Sequence, residues 1–322
     1  MRFGLALCAV LVCSGENYHW DLPARFPVPR VPADNPMTVA KVELGRYLSY
    51  DKRMSVNRKS SCATCHKQEL AFTDGHPVAV GTTGEHHTRG AMSLVNVAYS
   101  SALTWNTAGI TRLEDQALVP MFGEHPIELG LRPGDGFLLS LRSNAKYQGL
   151  FERAFPEETD RFTIANVVKA VACFERSIVS ARSPYDRYHY ERDDSAVSDS
   201  AKRGEILFFS QPQSCFRCHG GANFGGGPEF HNTGLSATDA TIFQAPTLRN
   251  IAVTAPYMHD GSMPTLDAVI NHYSAGGHDN PHKDPLIGGF HLTAEQRADL
   301  IAFLQSLTDE AVLHDPRFAN PW

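Results

Sequence analysis

Two short stretches hold the residues best able to do chemistry: Ser61-Cys62-Ala63-Thr64-Cys65-His66 and Ser214-Cys215-Phe216-Arg217-Cys218-His219. Each contains CxxCH, in which two thiols can bond covalently to the vinyl groups of a haem and the adjoining histidine can ligate its iron from the proximal side. A zinc site is the competing use of CxxC with a histidine nearby. Against it, both histidines follow the second cysteine immediately, where haem attachment needs them, and no further cysteine pair completes a four-ligand cage. The motifs predict two covalent haem c groups, one on Cys62, Cys65 and His66 and one on Cys215, Cys218 and His219. What each iron sees on its open side then decides the function.

The chain has 322 residues, which suits about two domains of ~150 residues each, and its haem motifs lie about half a chain apart. Hydrophobic content of 42% with 20% charged residues is ordinary for a soluble globular protein, and a net charge of -6 argues against a nucleic-acid surface. Of seven cysteines, four belong to the haem motifs and Cys8 and Cys13 lie near the start. The last, Cys173, sits in an apolar helical pattern and reads as a buried, inert thiol.

Residues 1-15 combine Arg2, an apolar run from Phe3 to Val12 and small residues after it. That reads as a cleaved secretory signal, because the run falls short of the ~20 residues a membrane span requires. Cys13 raises a lipoprotein alternative, but Val12 is bulky where a small residue normally precedes a lipidated cysteine. Export fits covalent haem attachment, which in bacteria takes place outside the cytoplasm. The expectation is a periplasmic enzyme without a membrane span.

The elements that must position the motifs are helical. Prolines at 23, 27, 29, 32 and 36 disfavour helix between Asn17 and Met37 and suggest an extended surface arm. Val42, Leu44, Tyr47 and Leu48 then recur near helical spacing, and Lys202 to Phe209 opens the second half in the same way. This weak repeat of helix, loop and CxxCH is what tandem cytochrome c-like domains would give. Between them, Thr163 to Ser180 places Ile164, Val167, Val168, Val171, Phe174 and Ile178 on one face, with Thr163 as N-cap. Near the end, Thr293 and Gln296 stand in capping-box spacing before Leu300, Ile301, Leu304 and Leu307. Strand signals are scarce. The fold class expected is mostly α: two cytochrome c-like domains, 16-192 and 193-322, each with one haem.

Residue types alone leave the open sides of the irons undecided. Glu128 is one carboxylate among many, and Met258, Met263, His259, His272 and Tyr273 compete on nearly equal terms near the second haem.

The chain resembles the bacterial diheme cytochrome c peroxidases, and more narrowly their MauG-type branch, over nearly its whole length after the leader. The residues that carry the resemblance are LGRYLSYDKRMS before SCATCH, RGAMSLVN (Arg89 to Asn96), and WNTAGITRLEDQALVP with PIELG (Trp105 to Gly130). KRGEILFF, SCFRCH and LRNIAVTAPYMHDGSMPTLDAVINHY (Leu248 to Tyr273) carry it in the second half.

The resemblance implies that the haem on His66 binds hydrogen peroxide, with Glu128 as the distal acid or base that moves a proton between the peroxide oxygens and Gln116 as the amide beside it. It implies Trp105 as the aromatic ring between the haems. Tyr273 falls where the peroxidases carry a methionine ligand to the second iron, and His259 falls near that haem. A thioether favours Fe(II), whereas a phenolate favours high oxidation states, so a His219/Tyr273 iron suits a bis-Fe(IV)-like state. Thr82 stands where relatives carry a histidine that closes the first iron, and His86 and His87 are read as an exposed polar loop, leaving that haem open. The family's calcium ion between the domains would here have the carbonyls of Thr254 and Pro256, with Gly90 in place of an asparagine ligand. Gln213 replaces the surface tryptophan of MauG, so a hole would leave through another aromatic, with Phe216, Tyr257 and Trp322 as candidates.

The proline-rich opening resembles the methanobactin-associated diheme enzymes. That implies oxidation of a partner protein, a tryptophan converted to kynurenine at a copper-binding site. The alternatives are a cytochrome c peroxidase fed by a small cytochrome or cupredoxin, and a diheme electron carrier with both irons closed.

Overall fold

The computed structural model describes residues 16–211 and 213–322; the expected leader, with Cys8 and Cys13, lies outside them. The described chain is built from α-helices: α1 (Val39–Tyr50), α2 (Cys62–Cys65), α3 (Leu113–Gln116), α4 (Leu118–Phe122), α5 (Phe137–Arg142) and α6 (Ala145–Ala154) in the first half. α7 (Ile164–Ser177), α8 (Pro184–Glu191), α9 (Asp199–Phe208), α10 (Leu266–Ser274), α11 (Ala294–Ser306) and α12 (Glu310–His314) follow. The only sheet among the described residues pairs β1 (Phe230–His231) with β2 (Phe243–Gln244), antiparallel, with Phe230 opposite Gln244. The mostly α expectation holds. Among the described residues no helix is long and apolar enough to cross a membrane.

Local signals place the long helices. The Thr38 hydroxyl accepts from Lys41 N at 3.2 Å and starts α1 three residues before Val42. The Thr163 hydroxyl accepts from Asn166 N at 3.2 Å, and Thr293 with Gln296 closes a capping box on α11. α7 ends at Ser177, so Ile178 lies at the C-cap instead of in the helix, yet it is fully buried.

The repeat is deeper than its apolar pattern. α1 crosses α7 at Gly45, where a Cβ would sit 1.9 Å from Ala170 O. α9 crosses α11 at Gly204, where a Cβ would sit 2.0 Å from Asp299 O. In both halves the backbones meet because one helix has no side chain at the crossing. The first core gathers Leu44, Leu48, Met54, Tyr147, Phe151 and Val171; the second gathers Tyr185, Phe208, Phe224, Leu300, Phe303 and Leu307. A third, with Phe72, Val95, Phe174 and Ile178, is completed by Val312, Leu313 and Phe318, which bring the C-terminal segment back onto the first half.

Polar bonds tie the halves together. Asn96 Oδ1 accepts from Ser180 N at 2.6 Å, and the Ser180 hydroxyl donates to Asn250 Oδ1 at 2.9 Å. Arg249, fully buried, clamps both carboxylate oxygens of Asp186 on α8 at 2.8 and 2.9 Å. The proline-rich arm is non-helical, as its composition requires, but it is not simply laid on the surface. Phe26 is buried against Tyr99, Tyr190 and the Arg249 guanidinium, and buried Asn35 donates to Glu114 Oε1 at 2.7 Å.

Candidate functional site

Each CxxCH motif borders a cavity, and the half-buried indole of Trp105 lines both. The first cavity, about 360 Å³, brings Gln116 and Glu128 into the space lined by Cys62, Cys65 and His66. The second, about 230 Å³, is lined by Cys215, Cys218, His219, His259 and Tyr273. All the residues expected at the two haems are thus gathered as the sequence groups them.

The proximal imidazoles are set alike. His66 Nδ1 lies 2.8 Å from Phe72 O and His219 Nδ1 lies 3.2 Å from Phe224 O. A carbonyl only accepts, so Nδ1 carries the proton and Nε2 keeps its lone pair free for a metal. Both phenylalanines have left-handed backbones, φ 60° and 50°. Burial pushes both imidazoles down, His219 to about 4, which keeps them neutral ligands.

Glu128 is held by its backbone: Thr82 N donates to Glu128 O at 2.7 Å, and a Cβ at the neighbouring Gly81 would lie 1.7 Å from Ile127 O. Burial pushes the Glu128 carboxyl up to about 7. Gln116 comes from the end of α3, whose Leu113 and Glu114 are buried. Trp105 Nε1 donates to Gly90 O at 2.8 Å, Gly90 N donates to His259 O at 3.0 Å, and Trp105 O accepts from Gln244 N at 2.8 Å. The indole is therefore pinned by segments from both halves.

The structure reduces the five competing groups near the second haem to three. His272 turns away and bonds Thr233 O through Nε2 at 2.9 Å, and Met263 pairs with Tyr257 through its backbone; neither lines the cavity. Tyr273, Met258 and His259 do line it. The His259 ring stacks on Phe243 at 3.7 Å, which fixes it as part of the wall. Burial, and the two cysteines beside it, push the Tyr273 phenol well above its ordinary range.

The linings suit haem c. Three residues that line the first cavity carry buried polar atoms without a protein partner: His87 Nε2, Arg89 Nε and Glu175 Oε2. Burial pushes the Cys62 thiol to about 12 and Cys65 and Cys215 to about 11, which favours neutral sulfur over the thiolates zinc would need. Among the described residues no group of three or more His, Cys, Asp or Glu gathers to hold a metal ion, so no zinc cage forms there.

One expectation changes. His86 is exposed as expected, but His87 is not: the ladder from Ala79 N to Arg89 O and from His87 N to Ala79 O alternates the side chains, and His87 lines the first cavity. Glu175, in the last turn of α7, also lines this cavity and passed unnoticed within an apolar stripe. The Thr254 and Pro256 segment expected to offer carbonyls to calcium lies outside both cavities, and Gly90 adds no side-chain oxygen to that set. Of the exit aromatics, Tyr257 lines the second cavity with its hydroxyl on Ile251 O, Phe216 lines a separate surface pocket, and Trp322 is exposed and packs edge-on to Tyr47 and tilted against Tyr147.

The di-haem cytochrome c peroxidase family matches residues 39–195, and a RoxA-like, cytochrome c-like family matches 242–275. The methylamine utilization protein MauG of Methylophilus methylotrophus is 31% identical, with 97% of this chain and 96% of that protein covered. Cytochrome-c peroxidase IdrP1 of Denitromonas iodatirespirans is 32% identical over 98% of this chain and 95% of that one. Among solved structures, a MauG-like protein associated with microbial copper homeostasis superposes with a TM-score of 0.91 at 38% identity, covering 95% of this chain and 99% of the other. The chain belongs to the di-haem cytochrome c peroxidase/MauG family and is a haem oxidoreductase.

Proposed function

We propose that this family member is a periplasmic, peroxide-driven enzyme that oxidises a partner protein, converting a tryptophan of a copper-binding partner to kynurenine. The observation that carries the reading is the placement of Tyr273 in the His219 cavity while Met263 and His272 are turned away. The likeness to a MauG-like protein associated with microbial copper homeostasis supports the class of partner.

Haem c, when bound, supplies redox-active irons at which hydrogen peroxide is reduced. The chain's own residues set the conditions. His66 and His219 present neutral Nε2 atoms because their Nδ1 protons are committed to Phe72 and Phe224. Glu128 moves a proton from one peroxide oxygen to the other, and the Gln116 amide orients the peroxide by hydrogen bonding. Trp105, fixed between the cavities, relays oxidation; its N–H faces an amide carbonyl, so no base of the chain takes that proton. Tyr273 would offer the second haem an oxygen donor, which would disfavour reduction and favour the holding of an oxidising equivalent there.

A second reading, a cytochrome c peroxidase, is favoured by Met258, which lines the second cavity as well. The two separate on supplying the holoprotein with peroxide and either a reduced small cytochrome c or a tryptophan-bearing periplasmic copper-binding protein. The preferred reading expects kynurenine in tryptic peptides of the copper protein and little turnover of the cytochrome. Rapid cytochrome oxidation with an unmodified copper protein would establish the peroxidase.

A further inference from the structure

Glu175 is 6% exposed, lines the first cavity with Gln116 and Glu128, and leaves Oε2 without a hydrogen-bond partner. Its neighbour Arg176 makes no hydrogen bond to it, and that charge offsets the burial only in part. Arg176 spends its guanidinium on Glu114 Oε1 at 3.0 Å and Ala172 O at 3.4 Å, and Glu114 is further satisfied by Asn35. The other titratable or charged groups around this space are Cys62, Cys65, His66, His87, Arg89 and Glu128. The Arg89 guanidinium lies over the Phe243 ring at 4.9 Å. A carboxylate buried without a cation or donor costs several kcal/mol, so such a group keeps its proton instead. Burial accordingly pushes Glu175 up to about 8. It needs no such position to hold the fold, since the core of α7 is made by Val167, Val171 and Phe174.

We propose that Glu175 is a second proton-carrying carboxyl of the first cavity, supplying one of the protons that turn the peroxide oxygens into water. The need follows from balance: one hydrogen peroxide, two electrons and two protons give two waters. Glu128 moves the proton that peroxide brings and adds none, while the electrons come from the partner's oxidised side chain. Glu175 releases a proton from its O–H bond into the cavity, becomes a carboxylate and is reprotonated from solvent. The inference rests on the functional reading above.

Two readouts on the holoprotein test it. In infrared difference spectra of Glu175→Gln against the unmodified protein at neutral pH, the resting state shows a protonated-carboxyl C=O band that Glu128→Gln leaves in place. After one equivalent of peroxide, with ascorbate added as the electron donor, return to the resting spectrum slows about 10²-fold in Glu175→Gln, the low end of general acid–base contributions, and loses its dependence on pH. Glu175→Asp, which keeps the acid, recovers part of the rate and guards against misfolding of the amide. Absence of the band, or an unchanged rate and pH profile in Glu175→Gln, overturns the proposal. A wild-type protein inert to peroxide sinks the functional reading, and the resting band then still decides whether Glu175 carries a proton, its absence ending this inference too.

Discussion

The two haem cavities share a frame and differ in their walls. Both sit beside a helix crossing made at a glycine, both follow CxxCH, and both proximal imidazoles donate to a phenylalanine carbonyl in the left-handed region. The first is then lined by Glu128, Gln116, Glu175, His87 and Arg89, groups that handle protons and charge. The second is walled mainly by Phe243, Leu248, Ile251, Ile270, Leu286 and Phe290 around Tyr273 and His259, with His231 and Gln244 among its fewer polar side chains. Peroxide chemistry moves protons, and holding an oxidising equivalent does not. The difference in lining supports the proposed placement of the chemistry in one half and the storage in the other.

The largest break in that asymmetry is expected from Glu128→Gln. It removes the proton shuttle while keeping the shape, and the peroxide reaction measured by stopped-flow absorbance should slow by about 10²–10⁴-fold, with haem content intact. An equally slow reaction in a second-cavity variant such as Tyr273→Phe, with Glu128→Gln unaffected, would reverse the assignment.

Next in size are the two buried ion pairs, Arg249 with Asp186 between the halves and Arg176 with Glu114 within the first. Arg249→Leu leaves the Asp186 carboxylate buried and unpaired and should cost about 3–5 kcal/mol in denaturant unfolding. Arg176→Leu should cost less, because Glu114 keeps its bond from Asn35. A larger loss at Arg176 would mean that the halves are not stabilised as their hydrogen bonds suggest.

Gly45→Ala and Gly204→Ala sharpen the likeness of the frames. Each added Cβ meets a carbonyl of the facing helix, at 1.9 and 2.0 Å, so each helix pair must separate. Both variants should lose about 1–3 kcal/mol, by similar amounts.

The smallest effect is on pH dependence. Burial raises Glu128 to about 7, so its base form appears only as pH rises through that value. The rate of reaction with peroxide should fall about tenfold for each pH unit below it, as the ionised fraction falls. Glu128→Gln should flatten the profile; an unchanged slope would assign the ionisation to another group.

Much of this was legible because it is local in sequence. CxxCH carries its own attachment and ligation chemistry, and the Thr163 and Thr293 caps are set within three residues. The resemblance supplied Glu128, Gln116, Trp105 and Tyr273, which composition left among many equals. The rest depends on three dimensions. Gly45 and Gly204 matter only through the helix that crosses each, and Phe26 and Asn35 only through the sockets that receive them. His87 and Glu175 face a cavity that no single element defines.

The division of labour is tested most directly by optical and EPR spectra of the purified diferric holoprotein before and after one equivalent of hydrogen peroxide, without reductant. The account predicts one high-spin and one low-spin haem at rest, both altered by peroxide, with a long-lived near-infrared band that Tyr273→Met abolishes. Two low-spin haems that ignore peroxide until half-reduced would contradict it.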